Sequence, residues 1–168
     1  LPPAEQRSAI AAAARCITHP AVPPEMRETS YKVAMSAFPY GPNKKGISGS
    51  SGHCRCGCGE ETVEHVFRDC ARTRGLVELV LQRWREVVGE AESGGDARLV
   101  LFGDRSAAWK SEEDAAAWAG LEEPFAVIHK AMQHVIATER DRDAAPKARA
   151  RRTPRQLFQS LEQLVARV

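Results

Sequence analysis

Eighteen residues, His53 to Cys70 (HCRCGCGEETVEHVFRDC), hold four of the five cysteines and two of the five histidines of a 168-residue chain. No N-terminal segment joins a basic head, an apolar stretch and a small-residue cleavage site, so thiols this crowded read as metal ligands rather than disulfides. A structural zinc site takes four Cys and His ligands in a tetrahedron. The candidates are Cys54, Cys56, Cys58, His65 and Cys70, with His53 further out. Four residues separate His65 from Cys70 in what reads as the first turns of a helix, so both side chains are expected near one edge of that helix, or of its frayed end, within reach of one ion. The upstream donors come from CRCGCG, where Gly57 and Gly59 can take positive φ without steric cost and let a tight turn aim two thiolates at one metal. The competing reading is a free thiol cluster, or a disulfide in an oxidising setting, which leaves a histidine at ligand spacing unexplained. A redox sensor built on the thiols of residues 54–58 is a further reading, which stoichiometric zinc disfavours.

The rest of the chain predicts a mainly α fold, a small irregular helical domain organised around one zinc knuckle. Residues 4–18 are Ala-rich and favour helix. HPAVPP breaks the pattern, and a second helix begins near Pro24, with Met26, Ser30, Val33 and Phe38 on one face. Residues 39–52 are Gly-, Ser- and Pro-rich and read as a mobile loop. From Leu76 to Val88 the apolar residues recur with strong 3.6-residue periodicity. The run Leu99–Phe102 is ambiguous between strand and helical turn; a short helix is favoured because no second strand is available to pair with it. Ser111 followed by Asp114 reads as a helix cap. Residues 122–142 place Phe125, Ile128, Met132, Val135 and Ile136 on one stripe. Thr153 as N-cap and Pro154 at the first helical position open a last helix carrying Leu157, Leu161, Leu164 and Val168. The resulting parts are a helical lead-in and loop (1–53), a knuckle (54–75), a helical body (76–143), and a basic linker with a C-terminal amphipathic helix (144–168). The start at Leu1 rather than Met suggests a piece of something longer.

The stretch CRCGCGEETVEHVFRDCARTRGL resembles the zinc-binding region found after the polymerase domain of many non-LTR retroelement reverse transcriptases. Cys54, Cys56-Gly57, Glu61-Thr62, His65 and Cys70 match that family's motif in order. The likeness is sharp over 54–76 and looser over about 20–142, where PAVPPEMRETSYKVAMSAFPYG is similar to the helical lead-in, and RLVLFGD and EEPFAVIHKAMQHVIATERDRD to the following elements. The resemblance implies Cys54, Cys56, His65 and Cys70 as zinc ligands. Cys58 departs from the pattern and is a possible substitute for Cys54 or Cys56. It also implies an accessory, non-catalytic role beside a polymerase in cis, RNA or DNA as partner, and a nuclear setting. Retroviral nucleocapsid knuckles are a poorer match, since eight residues separate Cys56 from His65 here.

Charge is unevenly spread. Residues 1–53 carry six basic and three acidic side chains, residues 54–138 ten and fifteen, and residues 139–168 eight and four. The knuckle itself, 54–70, holds Arg55 and Arg68 against Glu60, Glu61, Glu64 and Asp69. A phosphate-gripping site is basic, and a reader of single strands offers stacking aromatics. Phe67 alone is a core candidate, so the ion reads as a staple whose removal melts helical signal. The candidate polyanion contacts are instead Lys147, Arg149, Arg151, Arg152 and Arg155 in PKARARRTPR. The competing function is a protein-interaction module whose amphipathic helices dock another polypeptide, without nucleic acid. Cys16 reads as a small buried hydrophobe, His129 and His134 as boundary residues, Trp84, Trp109 and Trp118 as core aromatics, Glu122 and Glu123 as helix-start carboxylates, and ERDRD (139–143) as a solvated helix end. No phosphate loop, helix-borne zinc-protease motif, nucleophile elbow or paired-aspartate polymerase motif is present. No apolar run approaches the roughly 18 residues needed to span a bilayer.

Overall fold

Proline, alanine and cap chemistry decide where the helices lie. The computed structural model describes residues 3–35, 52–54, 56–88, 98–105, 112–144 and 152–166. Within these the protein is mainly helical, with α1 (Pro3–Thr18), α2 (Pro24–Ala34), α3 (Arg74–Val88), α4 (Glu112–Ala117), α5 (Glu122–Ala144) and α6 (Pro154–Val165). Two single wide turns, with i→i+5 hydrogen bonding, occupy His65–Asp69 and Arg98–Phe102. The apolar run 99–102 is therefore helical, and no strand occurs among the described residues. Pro24 opens α2 directly after the extended Pro23. Thr153 and Gln156 cap α6 reciprocally: the Gln156 N–H donates to Thr153 Oγ1 (3.3 Å) and the Thr153 N–H donates to Gln156 Oε1 (2.8 Å). No described helix is long and apolar enough to cross a membrane.

Helix α5 is the centre of the molecule, packed by α1, α2, α3, α6 and both wide turns or their flanks. The expected stripe of Phe125, Met132, Val135 and Ile136 is buried, and Ile128 packs against the core from a half-buried position. Burial extends well around the helix, to Ala126, Ala131 and Ala137, whose small side chains let neighbours approach. The 3.6-residue pattern of α6 sends Leu157 and Leu161 into the core. Gly75 in α3 admits the start of α6: a Cβ there would stand 2.7 Å from the Pro154 ring. Trp84 and Trp118 stack at 5.4 Å, and Phe125 meets each edge-on at 5.2 Å. Trp109, Phe38, Ser111, Val168 and the loop 39–51 lie outside the described residues, as does the side chain of Leu164.

Two sequence expectations for α5 are corrected. His129 is fully buried rather than a boundary residue. It stacks on Phe125 and its Nε2 lies 2.8 Å from the Val100 carbonyl, which can only accept, so Nε2 carries the proton. Gln133 donates to the Leu101 carbonyl at 2.8 Å. These two side chains satisfy carbonyls of the wide turn 98–102, and this is why polar residues sit in the core. Glu139 and Arg140, expected at a solvated end, are also buried, each in an ion pair. His134 is half-buried, with Nδ1 3.2 Å from Thr29 Oγ1. Cys16 is half-buried in α1, its sulfur 3.9 Å from the Gly103 carbonyl.

Candidate metal centre

Backbone turns set the upstream half of the site. His53 and Glu60 form an isolated antiparallel bridge. The Cys54 N–H donates to the Gly59 carbonyl (2.9 Å), the Gly57 N–H to the Cys54 carbonyl (2.9 Å), and the Glu61 N–H to the Gly52 carbonyl (3.0 Å). This tight loop needs a left-handed residue at its tip, and Gly57 supplies it with φ 78°. The amide of Cys58 points at the Cys56 sulfur at 3.3 Å.

The downstream half is a helix start with one wide turn. Thr62 Oγ1 accepts from the His65 N–H at 3.0 Å and caps the segment. In an α-helix of 3.6 residues per turn, side chains five apart point about 140° from one another. Here the Cys70 N–H bonds the His65 carbonyl, closing an i→i+5 turn that brings the two side chains to one side. Val66 and Phe67, in the same turn, are buried in the core. Thr73 Oγ1 fastens the exit by donating to the Val66 carbonyl at 2.7 Å.

The donor atoms of Cys54, Cys56, His65 and Cys70 all lie within 4.8 Å of one another, a group that could hold a metal ion. Cys54 and Cys70 are buried, Cys56 and His65 half-buried. Cys54 Sγ is 3.7 Å from Cys70 Sγ, and Cys56 Sγ is 3.5 Å from His65 Nε2. A tetrahedron with Zn–S of about 2.3 Å and Zn–N of about 2.0–2.1 Å has S···S edges of about 3.8 Å and S···N edges of about 3.6 Å. The residues therefore fit such an ion in number and type, and these two separations match its edges. Cys58 is also placed to take part: its sulfur is 3.5 Å from His65 Nε2, and in the structure it is joined to Cys56 by a disulfide. Metal ligation and this disulfide compete for the Cys56 sulfur. His53 is exposed and stands outside the four-donor group.

Burial pushes the Cys70 thiol above its ordinary pKa, opposed by backbone N–H groups of Arg72 and Thr73 and reinforced by Cys54 alongside. A divalent cation reverses this balance, since a coordinating thiol loses its proton to the metal. Sequence reasoning missed the clamp that holds the loop to the body. Glu61, 2% exposed at its side chain, is ion-paired with Arg140 of α5, 9% exposed. Beside it, Arg152 pairs with Glu139 (2.6 Å) and donates to Ser160 Oγ (2.9 Å), tying α5 to α6. The signal was the Glu61-Thr62 dipeptide: one residue reaches α5 and the other caps the helix of His65.

Of the candidate polyanion residues, Lys147, Arg149 and Arg151 lie outside the described residues. Arg155 is exposed on the first turn of α6, while Arg152 is held by Glu139 and Ser160. Arg68 of the knuckle is engaged by Glu64 and Asp69, each at 2.8 Å. An apolar groove of about 380 Å³ runs between α3, α5 and α6, lined by Val80, Trp84, Ile128, Phe158, Leu161 and Val165 among others. Comparison with models of known protein families, with curated proteins and with solved structures found no match.

Proposed function

We propose that this chain is a structural zinc module, non-catalytic in itself, of the kind that follows the polymerase in non-LTR retroelement proteins. One observation carries the reading: Cys54, Cys56, His65 and Cys70, the residues of the motif, bring their donor atoms within 4.8 Å of one another, with Cys54–Cys70 (3.7 Å) and Cys56–His65 (3.5 Å) at tetrahedral edge lengths. Three sulfurs and an imidazole in that geometry favour zinc over oxygen-seeking cations. With four protein ligands no position is left open for substrate, so the ion serves as a staple between the loop 52–61 and the helical body. The acidic knuckle, its Arg68 already paired, is a poor phosphate grip. Contact with RNA or DNA falls instead to Lys147, Arg149, Arg151 and Arg155, with Arg152 as the anchor of their segment to α5.

Metal analysis of the reduced chain is the direct test. The parent is expected to hold one equivalent of zinc and His65→Ala to lose most of it; a parent free of zinc sinks the reading. The nucleic-acid role is tested separately by retention on RNA and DNA across a salt series. Replacing Lys147, Arg149 and Arg151 by Gln should flatten the log–log salt slope by about 0.9 for each duplex phosphate no longer neutralised. An unchanged slope removes these residues from the interface.

The groove between α3, α5 and α6 favours a second reading, a zinc-stapled module that docks another polypeptide. Zinc binding together with no nucleic-acid retention even at low salt would select it.

A further inference from the structure

Three sulfurs, not two, crowd the upstream side of the candidate metal centre. Cys56 and Cys58 are bonded to one another, and each sulfur is 3.5 Å from His65 Nε2. In that same structure Cys54 and Cys70 remain 3.7 Å apart as free, buried thiols. Forming the Cys56–Cys58 bond therefore requires no dismantling of the other three donors. The two bonded cysteines lie on the outer side: Cys58 is exposed and Cys56 half-buried. Gly57 between them is left-handed with open space around it, so the turn that brings the sulfurs together meets no steric opposition.

We propose that Cys58 is a resolving thiol and that oxidation by a peroxide releases the metal through a Cys56–Cys58 disulfide. The inference rests on the zinc reading above. The Cys56 thiolate attacks one oxygen of hydrogen peroxide; the O–O bond breaks, hydroxide leaves and takes a proton to become water, and Cys56 becomes a sulfenic acid. The Cys58 sulfur then attacks the Cys56 sulfur; the S–O bond breaks, and the departing hydroxyl takes the Cys58 proton to leave as a second water. Two electrons pass from the sulfur pair to the peroxide. Cys56 is thereby withdrawn from the four-donor set, and Cys54, His65 and Cys70 remain. The ion pair of Glu61 with Arg140 and the hydrogen bond from the Glu61 N–H to the Gly52 carbonyl use none of the four donors, so they favour re-formation of the site after a dithiol reductant opens the disulfide.

The test uses the full chain, reduced and loaded with zinc, treated with hydrogen peroxide while a chromogenic chelator reports released metal and intact-mass and peptide analysis report the bond. The parent is expected to release its zinc, lose the mass of two hydrogens, show a 56–58 crosslink, and rebind zinc after reduction. Cys58→Ser, a change at an exposed position, should bind zinc as the parent does and release it at least about tenfold more slowly. Equal release rates in parent and variant, or a crosslink joining Cys54 to Cys70, overturn the proposal and leave the zinc reading intact. Loss of zinc from reduced Cys58→Ser also overturns it, because Cys58 would then be a ligand. A reduced parent that takes up no zinc defeats both.

Discussion

Lys130 shows what one residue can cost a core of this size. It is 1% exposed on α5, and its ammonium reaches Gln133 Oε1 at 3.5 Å. Burial lowers its pKa from an ordinary 10.5 to about 8, partly offset by Cys16 nearby. At pH 7 the side chain is thus charged in both folded and unfolded chains, and the folded one carries the desolvation penalty. Between about pH 8 and 10.5 the unfolded chain binds the proton that the folded chain has released, so stability rises with pH across that window. The shift corresponds to a penalty of about 3 kcal/mol at neutral pH. Lys130→Met is expected to be more stable than the parent by about 1–3 kcal/mol at pH 7, with the difference shrinking by pH 9.5. Urea unfolding at the two pH values checks this; a less stable variant at pH 7, or a gap that ignores pH, would refute it. His129 is a second buried base, held neutral well below its usual pKa, first by burial and then by the charge on Lys130.

Among the elements, the knuckle and α5 are joined directly by side chains. Glu61 and Arg140 form a buried pair, and the segment carrying His65 starts on the Thr62 cap. Removing one member of such a pair strands the other charge, at a cost of about 3–5 kcal/mol. Glu61→Leu and Arg140→Met should each destabilise by that amount, and the double variant should recover much of it. Thermal or denaturant unfolding of all four proteins forms the cycle; simple additivity of the single losses would show that the two side chains do not act as a unit. The wide turn His65–Asp69 carries His65 of the candidate site together with Val66 and Phe67 of the core, so one short element serves both.

For the molecule as a whole, this shared turn links metal and fold. Val66 and Phe67 belong to the same core as Leu76, Val77 and Ile136, which come from α3 and α5. If the proposed ion is bound, its loss would therefore loosen residues that the helical body packs against. Exhaustive chelation of the reduced, zinc-loaded chain should lower Tm by about 10 °C or more in a single transition. Circular dichroism with and without chelator measures it. An unchanged melt would show that the Glu61–Arg140 clamp suffices and that the ion is no staple; two separated transitions would show that knuckle and body fold independently.

Much of this was legible in one dimension. The breaks at Pro20, Pro23 and Pro24, the 3.6-residue pattern of α3 and α6, and the Thr153 cap are local properties, and local chemistry fixed those helices. The donor types and their spacing likewise pointed to Cys54, Cys56, His65 and Cys70, which the fold gathers into a group that could hold a metal ion. What the sequence left open is decided by long-range packing. Polarity along α5 suggested a boundary place for His129 and a solvated end for Glu139 and Arg140, yet each is buried because a carbonyl or opposite charge from a distant element meets it. Which sulfur stands beside which imidazole, and that Cys58 competes for Cys56, depends on how the loop 52–61 docks against the turn 65–69. Spacing along a chain sets which atoms are able to meet; only the folded backbone sets the distances at which they do.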